Sequence, residues 1–399
     1  MPLLQCGQRY GQLDTREWKG LLIMINYGRV FIRKYDIVLL LTAIILIALG
    51  LIMVYSTSAM ASIVQYGTSY HFIIRQIIYV IISVFFIWFL MRNDYHTLKS
   101  FYGIIMFLII ILMFLVFIPH IGISAGGSIR WINLRIFNIE PSEFFKIIFI
   151  VYLANFLAKK KDILDNNRYS LVFISPLILM GFSDILLLKE PDFGTVSILF
   201  FITIIMLFVG GVSLLYLIFT LIFGAVAAYF LIFTVTYRRD RILAFLHPFH
   251  NKTGIGFQIM QSIYAFARGG LYGVGLGNGK EKLFFLPTPY SDFIFSTVGE
   301  ELGLIGTFIF LLLYLILAYR GLKIAINAPD LFGTYLAYGL TFLIVLSAFI
   351  NIGVVLGALP TKGLALPLVS YGGSSMLASC IAIGILLNIS SQSVKRKNT

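Results

Sequence analysis

The sequence predicts an all-α polytopic membrane protein with about ten transmembrane helices and a large extracytoplasmic loop between helices 7 and 8. The first observation is composition: 59% of the residues are hydrophobic and 12% are charged, against about 45–50% and about 25% in soluble domains. The second is that the apolar runs are continuous, as in Ile37 to Tyr55 and Ile104 to Ile118. Barrel strands would alternate polar and apolar residues, so these runs favour helices.

Ten apolar runs are predicted to cross the membrane, where a spanning helix needs about 20 mainly apolar residues. We place them near residues 37–55, 72–91, 102–118, 144–157, 171–188, 195–209, 214–235, 294–318, 334–351 and 373–389. The fourth run is short, so its helix is expected to gain turns from the Pro141 side.

The distribution of Lys and Arg orients these spans. With the N-terminus inside, fourteen Lys and Arg lie in inside segments, and the short outside loops hold only Arg130, Arg135, Lys189 and Lys362. Short loops rich in Lys and Arg stay in the cytoplasm, so both termini are predicted to be cytoplasmic. Membrane topology therefore accounts for the net charge of +13, and no nucleic-acid partner is expected.

Three parts of the chain can be distinguished. Residues 1–35 form a predicted cytoplasmic segment in which Met24 is a candidate for the true start, residues 36–390 form the ten-helix membrane domain, and residues 391–399 form a cytoplasmic basic tail. The extracytoplasmic loop at 236–292 carries seven Lys and Arg. Either a loop of this length escapes the charge rule, or its cations bind a phosphate or diphosphate.

Ionisable residues at the predicted membrane boundary are candidates for function. Glu143 and Lys146 lie three residues apart on one face of the fourth helix and can form an ion pair. An ion pair at membrane depth is either structural or functional. Asp292 stands where the chain re-enters the membrane, so it either caps the eighth helix or carries chemistry.

Two further stretches read mainly as turns. Glu190-Pro-Asp-Phe-Gly-Thr195 predicts a turn in which Asp192 or Thr195 caps the sixth helix. The glycine run Gly269-Gly-Leu-Tyr-Gly-Val-Gly-Leu-Gly277 has no strand before it, so it is not a dinucleotide fingerprint and instead indicates tight turns or close backbone approach. His247 and His250 lack a third ligand, and no metal site is predicted from them.

Taken together, these stretches resemble the SEDS family of FtsW, RodA and SpoVE proteins from Tyr35 to Ser390. Met53-Val-Tyr-Ser56 and Leu359-Pro-Thr-Lys-Gly363 resemble the division member of the family. One departure is Leu286-Pro-Thr-Pro-Tyr-Ser-Asp292, where the family commonly has Leu-Pro-Glu-x-His-Thr-Asp. The motifs in family order are Arg-Trp-Ile at 130–132, Pro-Ser-Glu-x-x-Lys at 141–146, Pro-Asp-Phe-Gly-Thr at 191–195, the glycine run at 269–277, Asp-Phe-Ile-Phe at 292–295 and Ser-Tyr-Gly-Gly-Ser-Ser at 370–375.

The resemblance implies a peptidoglycan glycosyltransferase of the bacterial cytoplasmic membrane. Such a protein polymerises lipid II, an undecaprenyl-diphosphate-linked disaccharide-peptide, at the outer face of the membrane. The expected partners are a class B penicillin-binding transpeptidase and other divisome proteins at the septum. By motif, the family's essential loop aspartate falls on Asp292, and its paired glutamate and lysine fall on Glu143 and Lys146.

A catalytic hypothesis follows from these residue types. Asp292 is expected to take the proton from an acceptor hydroxyl, with Glu143 and Lys146 fixing its position and charge. Cations around it are expected to stabilise the diphosphate. Mg²⁺ or Mn²⁺ is compatible with this task, although no ligand set is legible. The expected substrate-binding residues are Arg130, Trp131, Arg238, Arg239, Arg241, Gln258, Lys362 and Ser370.

Two alternatives of other classes stay open on the sequence. One is a transporter that moves lipid II across the membrane, for which internal repeats and charges along the spans are expected. We find no evident repeat, and apart from the membrane ends the spans carry little charge beyond Arg75 and Asp184. The other alternative is a non-catalytic divisome scaffold, because helix faces that bind partners resemble those that bind lipid.

Overall fold

The computed structural model describes residues 35–125, 128–133, 138–166, 171–248, 255–282 and 289–397. The predicted N-terminal segment up to residue 34, with its candidate start at Met24, lies outside these residues. From Tyr35 onward the chain forms one compact unit.

Ten helices in the described part of the chain are long and apolar enough to cross a membrane, which confirms the predicted all-α polytopic class. Only helices and closed barrels satisfy every backbone polar group in lipid, and continuous apolar runs do not fit barrel strands, so helices were expected. The helices are α1 Ile37–Tyr66, α2 His71–Arg92, α3 His96–Leu115, α4 Pro141–Asn166, α5 Ile174–Lys189, α6 Phe193–Gly210, α7 Leu214–Phe233, α10 Ile294–Ile326, α11 Leu331–Val355 and α12 Gly373–Lys397. Two shorter helices between α7 and α10 are numbered α8, Thr236–Leu246, and α9, Ile255–Gly269.

Several helices extend beyond their predicted ends. Helix α1 continues to Tyr66 instead of ending at Tyr55, because the polar side chains that follow are accommodated within the bundle. Thr57 is an example: its hydroxyl donates to the main-chain oxygen of Met53 at 2.8 Å. Helix α4 begins at Pro141, as expected for a proline in a first helical turn, and reaches Asn166.

The bundle has an inner and an outer set of helices. Helices α4, α11 and α12 are the most buried, whereas α2, α3 and α7 expose most of their apolar surface. Helix α11 packs against α4, α6, α10 and α12. An exposed apolar face is what a membrane-facing helix requires, so the outer set is suited to contact lipid.

A small antiparallel sheet lies between α3 and α4, and the sequence did not predict it. Its strands are β1 Gly122–Ala125, β2 Ser128–Asn133 and β3 Asn138–Ile139, in the order β1-β2-β3. Ile123 pairs with Trp131, and Ile132 pairs with Ile139. The sheet fixes the position of β2, which carries Arg130.

The segment predicted as the large loop contains two helices, α8 Thr236–Leu246 and α9 Ile255–Gly269. Helix α9 packs on α10, and its Ser262 hydroxyl donates to the main-chain oxygen of Val355 at 2.6 Å. The described parts of this loop therefore form a structured layer packed on the helix bundle.

Helix α10 is broken at Gly303, whose φ of 67° and ψ of −162° are not helical. The glycine-rich segment, residues 269–282, lies against this break. The main-chain nitrogen of Leu304 donates to Gly270 O at 2.9 Å, and that of Val274 donates to Glu300 O at 3.0 Å. The segment thus supplies partners to backbone groups that the interrupted helix would leave unpaired. This contact agrees with the close backbone approach predicted from the glycine run.

Glycine at position 273 is required by this contact. Gly273 has a φ of 78°, and a Cβ atom there would lie 2.1 Å from Glu301 O. Gly277 has a similar φ of 84°, but a Cβ atom there would meet nothing within 4 Å. The two positions therefore share the backbone conformation and differ in packing.

We expect Gly273→Ala to lower the melting temperature of the detergent-solubilised protein more than Gly277→Ala does. In each variant the free energy of unfolding should fall by about 1–2 kcal/mol, because a left-handed backbone conformation strains any residue with a Cβ. Only Gly273→Ala adds a steric overlap with α10. Equal melting temperatures for the two variants would contradict the close packing of the segment against the break.

Candidate active site

Four cationic side chains line one cleft. The cleft holds about 520 Å³ of empty space, and we call it the cation cleft. Its cations come from β2, α8 and the segment after α11. Its lining residues are Arg130, Pro191, Asp192, Phe193, Gly194, Ile232, Tyr237, Arg238, Arg241, Ile242, Pro360, Lys362 and Gly363.

Arg130 is fixed by the turn between α5 and α6. Its Nη2 donates to Pro191 O at 2.6 Å, its Nε donates to Glu190 O at 3.3 Å, and its Nη1 lies 3.6 Å from Asp192 Oδ1. Asp192 also caps α6, since its side chain accepts a hydrogen bond from the main-chain nitrogen of Thr195. The predicted cap is thus confirmed for Asp192. Its carboxylate has the second role of orienting Arg130.

Helix α8 contributes Arg238 and Arg241. Arg238 stacks over the Phe193 ring, with its guanidinium carbon 5.8 Å from the ring centre. Arg241 lies 4.4 Å over the Tyr237 ring, and its Nη1 donates to Thr361 O at 3.2 Å. Within the described residues, the buried Nε of Arg241 has no hydrogen-bond partner. A buried donor of this kind is available to an anion that enters the cleft.

Lys362 reaches the cleft from the segment after α11. Its Nζ donates to Ser197 Oγ at 2.8 Å and lies 5.2 Å over the Phe193 ring. Burial lowers the pKa of Lys362 to about 8, Asp192 opposes the shift and Arg241 adds to it. Near neutral pH, Lys362 is still mostly protonated, but it loses its proton at a lower pH than an exposed lysine does.

Asp292 lies beside the cleft, next to Gly363. A Cβ atom on Gly363 would stand 3.1 Å from Asp292 Oδ2. Burial raises the pKa of the Asp292 carboxyl to about 6, although Arg130 and Arg241 oppose the rise. Helix α10 has Phe293 at its cap position, with no side-chain capping bond, so the alternative that Asp292 caps this helix is wrong.

The backbone around Asp292 is fixed by its neighbours. Asn351 Nδ2 donates to Asp292 O at 2.9 Å, and Ser370 Oγ donates to Ser291 O at 2.6 Å. The main-chain nitrogen of Tyr371 donates to Tyr290 O at 2.9 Å. These bonds fix the main chain on both sides of Asp292 without using its carboxylate.

Glu143 and Lys146 form the predicted ion pair, with 2.7 Å between Nζ and Oε1. The pair lines a second cavity, lined also by Leu364 and by residues of α11 and α12. Asn351 Nδ2 donates to Leu364 O at 2.6 Å as well as to Asp292 O. The pair is thus separate from the cation cleft but adjoins the segment that carries Lys362. Its catalytic role stays a prediction.

Four other predicted substrate residues do not line the described part of the cleft. Trp131 is half-buried on β2, and Arg239 is exposed beside Asp240. Gln258 is half-buried on α9. Ser370 is buried and uses its hydroxyl to bind the backbone near Asp292, so it orients that segment.

Two glutamates near Arg130, the half-buried Glu140 and the buried Glu190, were not predicted as site residues. Glu190 is fully buried, and within the described ranges neither of its carboxyl oxygens has a hydrogen-bond partner. Burial, together with neighbouring carboxylates, raises the pKa values of both Glu140 and Glu190 to about 8. Both residues precede a proline at a turn into a helix, a shared Glu-Pro signal that could have pointed to them.

The described residues contain no group of three His, Cys, Asp or Glu side chains arranged to hold a metal ion. The charges that face the cleft in these ranges are those of Arg130, Arg238, Arg241, Lys362 and Asp192.

This arrangement defines a class of protein: a polytopic membrane protein with a cationic cleft and an adjacent carboxylate at one end of its helix bundle. The chain belongs to the cell cycle protein family of FtsW, RodA and SpoVE, whose family model matches residues 36–395.

Curated relatives cover nearly all of the chain. The probable peptidoglycan glycosyltransferase FtsW of Geobacter metallireducens is 43% identical over 361 residues, which are 90% of this chain and 96% of the relative. Stage V sporulation protein E of Bacillus subtilis is 39% identical over 355 residues, covering 89% of this chain and 96% of the relative.

Solved structures share the fold. A chain from a peptidoglycan synthase complex that coordinates polymerization and crosslinking matches with a TM-score of 0.76 and 25% identity, covering 90% of this chain and 98% of that one. The rod shape determining protein RodA of Thermus thermophilus matches with a TM-score of 0.62 and 23% identity, covering 89% and 96%. The RodA match shows the fold alone.

Proposed function

We propose that the chain is a peptidoglycan glycosyltransferase that polymerises lipid II into glycan strands at the outer face of the cytoplasmic membrane, for septal synthesis in cell division. The relatives named as probable peptidoglycan glycosyltransferases support this activity. The single observation that carries the proposal is the position of Asp292 beside a cleft lined by four cations. The synthase complex among the similar structures supports a transpeptidase partner.

The proposed reaction needs a base and a site for an anion. A sugar hydroxyl of the acceptor attacks the anomeric carbon of the donor, and the bond from that carbon to the diphosphate oxygen breaks. The undecaprenyl diphosphate leaves with the electron pair, and the hydroxyl proton passes to the base. We assign the base to Asp292, because a carboxylate with a pKa of about 6 is ionised near neutral pH yet more basic than an ordinary aspartate.

The cation cleft suits the leaving diphosphate. Arg130 is oriented by main-chain oxygens and Asp192 before any ligand binds, which limits the reorganisation needed during the reaction. Arg241 offers its buried Nε, and Lys362 and Arg238 flank the Phe193 ring. Guanidinium groups form strong, charge-assisted hydrogen bonds to phosphate oxygens.

Glu143 and Lys146 are proposed to act from the second cavity. Leu364 lines that cavity, and Asn351 connects Leu364 O with Asp292 O. A displacement of the ion pair would therefore be transmitted to the backbone of Asp292 through Leu364 and Asn351. This route gives the pair a positioning role in place of direct contact with the diphosphate.

We expect the polymerisation rate to fall on both sides of neutral pH. Below about pH 6, Asp292 becomes protonated and cannot accept the hydroxyl proton. Above about pH 8, Lys362 loses the charge that stabilises the diphosphate. The measurement is kcat for lipid II polymerisation across about pH 5 to 9. The Lys362→Arg variant keeps its positive charge at alkaline pH. Its kcat should therefore begin to fall at a higher pH than that of the wild type, while the fall at acidic pH stays the same. An unchanged fall at alkaline pH would refute the assignment to Lys362.

The experiment that tests the function is reconstitution in liposomes. The purified protein is given lipid II with and without its transpeptidase, and the products are separated on a gel while lipid movement is followed in parallel. Glycan polymer that depends on this protein supports the proposal. Translocation of lipid II without polymer would support the transporter alternative, and neither activity would leave the scaffold alternative.

A further inference from the structure

A buried ionic contact ties the glycine-rich segment to α10. Lys282 Nζ lies 2.6 Å from Glu301 Oε1, and the exposed fractions of the two side chains are 6% and 0%. The ammonium also donates to Ser56 Oγ and to Gly277 O, each at 2.9 Å. An ammonium has three donor hydrogens, so Lys282 is fully used by these three acceptors.

Ser56 brings α1 into the same contact. Its hydroxyl lies 2.8 Å from both carboxylate oxygens of Glu301 and also accepts from Lys282. Gly277 N donates to Glu301 Oε2 at 3.1 Å, which adds a main-chain partner. We call Ser56, Lys282 and Glu301 the loop clip. It joins three parts of the chain that are far apart in sequence.

The preceding residue of α10 adds a second attachment. Glu300 is fully buried, and its Oε1 accepts from the main-chain nitrogen of Lys280 at 2.7 Å. Arg268 Nε lies 3.7 Å from the same oxygen. The glycine-rich segment and Arg268 of α9 therefore compensate two successive carboxylates of a membrane helix, since unpaired buried charges are costly.

The loop clip anchors the helix that follows the proposed base. Glu301 lies nine residues after Asp292, on the part of α10 that precedes its break at Gly303. Anchoring this part of the helix restricts the conformations available to the residues at its start. Bonds from Asn351, Ser370 and Tyr371 add further restraints on residues 290–292. Neither Lys282 nor Glu301 is among the residues described as lining the cation cleft.

We propose that Ser56, Lys282 and Glu301 are positioning residues that fix the place of Asp292 for proton transfer, an inference that rests on the proposed function. It assigns a task to two motifs that the cation cleft leaves unexplained, the Met53-Val-Tyr-Ser56 stretch and the glycine run. The clip acts through the backbone of α10 between Ile294 and Glu301 and does not touch substrate. Its loss should therefore affect the chemical step more than substrate binding.

The test removes both charges together, so that no buried charge is left unpaired. In the full-length protein in liposomes, Lys282→Met with Glu301→Gln should lower kcat for lipid II polymerisation about 10- to 100-fold, because small displacements of a catalytic group have effects of this size. KM should change little. Lys280→Met is the matched control, since the same substitution two residues away affects an exposed side chain. It should leave both constants unchanged.

A second readout follows the position of the base directly. Hydrogen–deuterium exchange at residues 289–293 should become faster in the double variant, while exchange in α6 stays unchanged. Ser56→Ala leaves the ion pair in place and should shift kcat and exchange in the same direction by a smaller factor. If the double variant does not accumulate in membranes, kcat and exchange of the Ser56→Ala variant test the proposal instead.

The outcomes separate the two proposals. If the double variant and Ser56→Ala match Lys280→Met in kcat and in exchange while Asp292→Asn is inactive, the positioning role is overturned and the proposed function stands. If Asp292→Asn polymerises lipid II at the wild-type rate, the assignment of the base itself fails. A rise in KM with kcat unchanged would also overturn the positioning role, because it would indicate loss of substrate binding.

Discussion

Replacing Asp292 with Asn is expected to lower kcat for lipid II polymerisation by about 10²- to 10⁴-fold, the usual contribution of a general base. An amide has nearly the same shape as the carboxylate but cannot accept the proton. The fold should tolerate the change, since Asn351 binds the main-chain oxygen of Asp292 and not its side chain. The measurement is the initial rate of polymer formation at matched protein levels in liposomes.

The control for this variant is Asp240→Asn, the same substitution at an exposed aspartate of α8. It should polymerise at the wild-type rate. A second control compares melting temperatures, because loss of activity through unfolding would lower the melting temperature as well. Wild-type rates in Asp292→Asn with normal melting would show that the proton goes to another acceptor.

Removing the guanidinium of Arg241 is expected to have the next largest effect. Arg241→Gln should lower kcat by about 10²- to 10³-fold, the loss typical of removing one donor that stabilises charge in a transition state. The residue is suited to this role because its buried Nε has no hydrogen-bond partner within the described residues and because it acts electrostatically on Asp292. The measurement is again steady-state polymerisation, with kcat and KM determined separately.

Arg241→Lys is the informative companion to that variant. It keeps a positive charge but loses the planar group of donors, so an intermediate loss of kcat is expected. If Arg241→Gln raises KM alone, the guanidinium binds substrate and transition state equally. That result would contradict a role in stabilising the leaving diphosphate.

The ten spans could be predicted because lipid leaves few ways to satisfy a backbone. The end of α1 could not, because local hydropathy falls after Tyr55 while the helix continues with its polar groups inside the bundle. The break at Gly303 and its contact with Gly273 join residues thirty positions apart. No local pattern encodes such a pairing. The short strands β1 to β3 are also set by tertiary contacts more than by intrinsic preference.

Prediction of the site was uneven for a similar reason. The motifs indicated Arg130, Arg241, Lys362 and Asp292, and the structure brings these four together. The burial of Glu190 was not predicted, because a Glu-Pro pair in a loop reads as an exposed turn until the fold encloses it. The ion pair of Glu143 and Lys146 was predicted from spacing, whereas its separate cavity depends on how α11 and α12 pack.

The central claim is that Asp292 faces the outer side of the membrane beside a site for a diphosphate-bearing lipid. The most direct measurement places a cysteine at position 292 in a chain whose Cys6 and Cys380 are replaced by serine, and follows its reaction with a membrane-impermeant maleimide in intact spheroplasts. We expect labelling from outside, and slower labelling when lipid II is supplied. Labelling only after permeabilisation, or at a rate that lipid II does not change, would contradict the account.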